Sequence, residues 1–360
     1  MTADAHTAPG TAPSADPSAD PPSGPTAGWQ SWHLHLGAFG TDVTDLALAR
    51  AVAPVVARHT AGPDGGRPWF FLRYWQGGPH LRLRIHGPDE DEAREIGLLL
   101  ARGVAEADAA TPAERRLTDR QYADAVGGLA RTGEGVGPLD PGALRPPGVV
   151  RARYEPETER YGGPDRLALS ERLFHLSSRV ALGACLTPRS PQQVFGQNLA
   201  ATAVAASALP ETEVRSFLES VRDGWSSWAD AYAKGAGPAR PPGPAAGSTG
   251  GASGTGNAGS KGSTGSTDGD DRLDALADRL RSAAPELLRL IREPGEPWSG
   301  WADPLRSAVP VWSTAPGGRP RAHGILGSHL HMTANRLGGS AGQEGRTAAL
   351  LLRLVGAELP

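Results

Sequence analysis

Basic side chains occupy every second position of one short stretch: His80, Arg82, Arg84 and His86 in HLRLRIH. That alternation is a strand signature, with Leu81, Leu83 and Ile85 on the opposite face. Arg73, in the aromatic run Trp69 to Trp75, is expected to add a third guanidinium to the same face of a hairpin turned by Gly77-Gly78-Pro79. Guanidiniums facing one way repel unless water or an anion meets them. The face is therefore either a solvated basic surface or an anion pocket. Arginine suits the pocket, because it grips carboxylates with two parallel hydrogen bonds and keeps its charge.

Two further segments carry chemistry-capable residues. Arg153 to Gly163 (RYEPETERYGG) runs from a strand end into a Gly-Gly turn. Its acids are either general acid/base groups or a charged turn whose glycines supply positive φ. Ser328 to Gly338 (SHLHMTANRLG) reads as helix and places Ser328, His331 and Asn335 at i, i+3 and i+7, on one face. Such a set fits proton transfer, or a hydrogen-bonded structural role. Ligand spacings for a metal, phosphate-cradling glycine loops and nucleophile elbows are lacking, so neither metal nor cofactor is expected.

The elements that must position these residues follow from periodicity. Trp32 to Leu36 is a half-buried strand, and 42–59 a helix capped by Thr41 or Asp42. The hairpin 69–86 follows, then a helix at 89–107, a weakly patterned stretch with a partial helix, and a strand from Val149 to Tyr154. The order β-α-β-β-α-β predicts a ferredoxin-like lobe over 29–163. Residues 164–360 predict a mostly helical lobe with helices at 165–183, 192–207, 211–233, 272–291, 325–337 and 347–355, Pro285 kinking or dividing the fifth. The fold class is α+β, the two lobes forming one domain. Residues 1–28 and the Gly/Ser/Thr-rich stretch 234–270 read as a disordered tail and a surface insert.

Composition excludes several classes. The formal charge of −3 over 360 residues gives no general case for gripping nucleic acid. No apolar run approaches the roughly 20 residues that span a bilayer, and no signal peptide opens the chain. One cysteine, Cys185, excludes an internal disulfide. The expectation is a cytoplasmic protein that acts apart from membranes.

The three segments together resemble one family. Phe70-Phe71-Leu72-Arg73-Tyr74-Trp75 with Pro79-His80-Leu81-Arg82-Leu83-Arg84 is similar to the FFxRYxD…HLRLR block of the lantibiotic dehydratase C-terminal family. Tyr154 to Gly163 is similar to its YxxExxRYGG block, and His331-Met332 with Asn335-Arg336-Leu337 to its closing HMxxNRL block. The blocks fall in the family's order over about 29–356. The resemblance implies removal of glutamate from glutamylated Ser or Thr of a ribosomal precursor peptide, leaving dehydroalanine or dehydrobutyrine. It also admits two other readings: the aza-[4+2] cycloaddition that builds a thiopeptide pyridine, and a non-catalytic peptide-binding adaptor. By resemblance, Arg82 or Arg84 with Arg160 would bind the glutamyl carboxylate or the enolate, and His331 would be the acid/base group. Arg73, His80, Tyr161, Ser328, Asn335 and Arg336 would contact substrate. The implied partners are the precursor peptide, leader and core, and a glutamylating dehydratase subunit, with homodimerisation left open. One departure stands out: Phe174 to Arg179 (FHLSSR) lacks the Asp-Ser pair that the resemblance leads one to expect there.

Overall fold

A computed structural model describes residues 28–62, 66–132, 140–234 and 266–359. Of the expected tail 1–28 all but Gly28, and of the expected insert 234–270 residues 235–265, lie outside the described residues; Lys234 and 266–270 belong to helices.

The first lobe contains β1 (Trp29–His35), a helix built of α1 (Thr41–Ala47), a π-helical stretch Leu48–Val52 and α2 (Ala53–His59), then β2 (Trp69–Tyr74), β3 (His80–His86), α3 (Glu90–Ala109), α4 (Asp119–Thr132) and β4 (Gly148–Ala152). The sheet order is β2-β3-β1-β4, every pair antiparallel. This is the ferredoxin-like arrangement expected from the element order. Trp32, Leu34, Phe71, Leu81, Leu83 and Ile85 point to one face and are buried. On that side α3 crosses the π stretch so closely that a Cβ on Gly103 would stand 2.4 Å from the Arg50 carbonyl. Only glycine fits that crossing.

Two local expectations change. Neither Thr41 nor Asp42 caps the first helix: it starts at Thr41 without a side-chain cap, and Asp42 binds Arg115 instead. Arg73 does not join Arg82 and Arg84. The register sets Arg73 opposite Leu81 and Tyr74 opposite His80, so Arg73 lies on the opposite face. There its Nη2 donates to Asp45 Oδ1 at 2.6 Å, while Arg189 Nη2 donates to Asp45 Oδ2 at 2.6 Å. All three side chains are at least nine-tenths buried. Removing the one carboxylate leaves two guanidiniums uncompensated, so Asp45→Ala is expected to destabilise the fold by about 3–5 kcal/mol in denaturant titration.

The second lobe contains α5 (Pro164–Cys185), α6 (Pro191–Ala206), α7 (Glu211–Lys234), α8 (Ser266–Leu280), α9 (Ala284–Arg292), α10 (Ser299–Ser313), α11 (Gly318–Leu337) and α12 (Ala341–Val355). Pro285 divides α8 from α9, sitting in the first turn of α9 where its missing N–H costs nothing. Helix α10 had no counterpart in the sequence expectation; Pro304 and Pro310 inside it hide its period. Among the described residues, no helix is long and apolar enough to cross a membrane.

The lobes join along the free edge of β2. Side chains of α5 and α11 replace a fifth strand there. Ser178 Oγ accepts from the Phe71 N–H at 3.3 Å, and Arg336 Nε donates to the Phe71 carbonyl at 2.9 Å. Asn335 accepts from the Arg73 N–H at 2.9 Å and donates to the Arg73 carbonyl at 3.0 Å. An edge strand so covered has no backbone left for another chain.

Candidate functional site

The sheet face away from the three-part helix carries Ser31, His33 and His35 of β1, Phe70, Leu72 and Tyr74 of β2, and His80, Arg82 and Arg84 of β3. Alternation along β3 thus puts the basic residues on the face that the sequence predicts. The segment after β4 and the start of α5 close over one end of this face. The result is a narrow cleft with about 30 Å³ of water-accessible space. Phe70, Leu72, Arg82 and Arg84 form its floor, Tyr154, Glu155, Glu157 and Tyr161 one wall, and Leu167, Phe174 and Arg336 the other.

Two guanidiniums in this cleft meet no carboxylate among the described residues. Arg84 is buried, with its Nε unpartnered, and lies against the rings of Tyr154 and Phe70 at 4.7 and 5.3 Å. Arg336 is fully buried; Nε and Nη1 donate to the Phe71 carbonyl and Ser177 Oγ, and Nη2 has no partner. Ser177 belongs to the stretch from which the expected Asp is missing, so no acid neutralises Arg336 there. Burial pulls Arg84 down to about 10 and Arg336 to about 9, each helped by a neighbouring guanidinium. Both stay charged at neutral pH. Glu157 and Glu171 partly offset that burial for Arg84 without hydrogen-bonding it. Buried cations with no hydrogen-bonded carboxylate are costly to hold, and a carboxylate entering the cleft lowers that cost.

Arg160 stands at the rim. Its Nη1 donates to Glu157 at 3.0 Å and its Nε to Ser328 Oγ of α11 at 3.2 Å. A short 3₁₀ turn, Thr158–Tyr161, ends at Gly162 with φ 91° and so aims Arg160 and Tyr161 at the site. Burial pushes the hydroxyls of Tyr154 and Tyr161 upward, which keeps them protonated donors. Tyr154 spends its proton on Glu171 Oε1 at 2.8 Å, whereas Tyr161 makes no hydrogen bond to a described residue.

The two histidines of the HLH run in α11 divide. His329 is buried against Trp312, Tyr161 and Phe174, with its Nε2 3.3 Å from Ser170 Oγ. Burial holds it far below the ordinary imidazole range, so it is a neutral core group. His331 points elsewhere. Its Nδ1 lies 2.8 Å from Glu344 Oε1 of α12, and its ring packs on Trp225 of α7. Glu344 is itself buried. A carboxylate on Nδ1 fixes the tautomer and leaves Nε2 for proton transfer. The sequence analysis did not find Glu344. The signal is an acid in the first turn of α12, in Gly342-Gln343-Glu344-Gly345, ahead of the apolar run that begins at Ala348.

The expected site residues thus fall into groups. Arg82, Arg84, Tyr161 and Arg336 line the cleft, with Arg160 and Ser328 at its rim. His331 stands one helical turn from Ser328, beside Glu344. Asn335 spends its amide on β2, and Arg73 lies across the sheet. His80 stacks with His33 and His35 at ring distances of 5.0 and 4.6 Å. Burial first, then Arg82, holds His80 well below its ordinary range; burial with Arg82 and Arg145 takes His33 to about 3 and His35 to about 4. Among the described residues no His, Cys, Asp or Glu group is arranged to hold a metal.

Residues 29–355 match the sequence family described as lantibiotic biosynthesis dehydratase C-term. The chain belongs to that family. Its fold is similar to that of TbtD, a pyridine synthase from thiomuracin biosynthesis, at TM-score 0.61 and 18% identity over 91% of this chain and 98% of that one. TsrL is similar at TM-score 0.53 and 15% identity, covering 92% and 95%. The tRNA-dependent lantibiotic dehydratase MibB from Microbispora sp. 107891 gives 0.46 and 20%, over 94% of this chain and 29% of that chain. No match was found among curated proteins.

Proposed function

We propose that the protein removes glutamate from glutamylated Ser or Thr residues of a ribosomal precursor peptide, as the stand-alone elimination component of a split dehydratase. The observation that carries this is the pair of buried guanidiniums, Arg84 and Arg336, without carboxylate partners. The departing glutamate is an anion and fills that deficit. Arg160 and Tyr161 are assigned to donate to the charge that develops on the carbonyl oxygen once the Cα proton is lost. His331, outside the cleft but one helical turn from Ser328 at its rim and oriented by Glu344, is assigned as the base that takes that proton at Nε2, which requires the peptide to reach past Ser328. The carbon–oxygen bond to the glutamyl ester then breaks, and the free glutamate leaves with its electron pair. The ester it acts on is supplied by a preceding glutamylation step.

The fold likeness to a pyridine synthase brings a second reading, cycloaddition between two dehydroalanines of a modified peptide. That reaction expels no carboxylate and gives the unpartnered arginines nothing to bind. Mass spectrometry of two reactions separates the readings. A Ser-glutamylated precursor peptide is expected to lose glutamate and retain dehydroalanine. Closure of an already dehydrated, azole-bearing peptide with release of its leader would sink the elimination reading. Binding of either peptide without turnover would leave only an adaptor role.

A further inference from the structure

Behind the arginine cleft three aromatic rings close on one another. Trp29 meets Phe70 at 5.1 Å and Tyr154 at 5.7 Å, and Phe70 meets Tyr154 at 5.9 Å, each pair edge to face. Such geometries are favourable for aromatic pairs. The Arg84 guanidinium lies against two of the three rings, those of Tyr154 and Phe70. Arg84 makes no hydrogen bond to a described residue, so packing rather than hydrogen bonding sets where it points.

Glu171 of α5 holds this box at two corners. Its Oε1 accepts from the Tyr154 hydroxyl at 2.8 Å and its Oε2 from the Trp29 indole N–H at 3.2 Å. The side chain is buried, and among the described residues its hydrogen-bond partners are these two neutral donors. Burial pushes its carboxyl up, while the hydrogen bonds from Tyr154 and Trp29 and the charge of Arg84 pull it back. A buried acid that meets only neutral donors is costly, and the donors explain why an acid stands there. An indole N–H can only donate, and Tyr154 donates as well. A carboxylate accepts at both ends, whereas glutamine of the same shape offers one oxygen and one amide N–H₂, so one corner would lose its acceptor.

We propose that Glu171 is a positioning residue for the cleft: it pins Tyr154 and Trp29, and the box so fixed aims the Arg84 guanidinium at an incoming carboxylate. The role rests on the reading of the cleft as a carboxylate site. Glu171 stands outside the lining of the cleft and acts through Tyr154. Orientation matters here because a guanidinium grips a carboxylate through two parallel hydrogen bonds, which a tilted or displaced fork cannot make.

Two measurements test this. In the first, labelled L-glutamate is titrated into the full chain by equilibrium dialysis. Tyr154→Phe keeps the ring and removes its hydroxyl; Glu171→Gln keeps the shape and removes one acceptor. Each is expected to weaken glutamate binding about fivefold or more, and the double variant no further than Glu171→Gln alone, because both act through one hydrogen bond. Unchanged binding in both single variants overturns the proposal. So does tighter binding in Glu171→Gln, which would make the acid a counter-charge that competes with the ligand for Arg84. The second measurement needs no ligand. Crystal structures of the two variants are expected to show the Arg84 guanidinium displaced from its place against the Tyr154 ring by about 1 Å or more, enough to matter for a preorganised site. An Arg84 left in place in both overturns the proposal. If the unaltered protein binds no glutamate at about 10 mM, the elimination reading falls, and the crystal structures still decide whether Glu171 positions Arg84. If glutamate binds and Arg84 stays in place in both variants, only the role of Glu171 falls.

Discussion

Arg84→Met is expected to lower glutamate elimination by about 10²- to 10³-fold while leaving the fold as stable as before, or more so. The loss follows from removing a preorganised cation from an enclosed site, where such groups contribute most to binding developing charge. The stability follows from burial. Arg84 is buried, its Nε has no partner and no carboxylate hydrogen-bonds it, and a buried charge so poorly paired costs several kcal/mol. Its contacts over Tyr154 and Phe70 return no more than about 2 kcal/mol. Methionine fills similar volume without that penalty. Single-turnover mass spectrometry measures the first effect and denaturant titration the second. The opposite pattern, full turnover with a stability loss of more than about 2 kcal/mol, would make Arg84 a structural residue and remove the main support for the elimination reading. Asp45→Ala is the contrasting case: there the charge is paired, and stability falls.

Much of this was legible in the sequence because strands report their faces. HLRLRIH fixes which side of β3 is basic, and the element order fixes the sheet topology. What the sequence did not carry is register between strands. Arg73 sits one residue from the phase that would bring it to the arginine face, and that single step sends it to Asp45. Helix α11 shows the same limit. Its spacing groups Ser328, His331 and Asn335, yet what each side chain meets depends on neighbours distant in sequence: Arg160, Glu344 and the backbone of β2. The apolar period of α11 is weak because nearly all of its second half is buried on every side. Arg336 illustrates the consequence. A charged residue in a family motif invites a substrate role; in the structure Arg336 donates to the edge of β2 and to Ser177, and its buried Nη2 has no partner.

His331→Ala and Glu344→Gln are expected to fail together. Loss of the imidazole removes the base and should reduce turnover by about 10²- to 10⁴-fold. Glu344→Gln keeps shape and volume but replaces the carboxylate on Nδ1 by an amide that offers either its oxygen or its N–H. The ring is then free to take the tautomer that buries the proton where the lone pair is needed. A loss of about tenfold or more is expected, with the peptide still binding. If the two residues act as one unit, the double variant loses no more than His331→Ala alone, because the contribution of Glu344 passes entirely through the ring. Stability separates this from a packing effect. His331→Ala strands the buried carboxylate of Glu344, one of whose oxygens already lacks a partner, and is expected to destabilise the fold. Adding Glu344→Gln to it removes that stranded charge and should restore part of the loss without restoring turnover. Rescue of stability with turnover still absent places the pair in the proton transfer. Wild-type turnover in Glu344→Gln would show that the carboxylate only anchors α12 to α11.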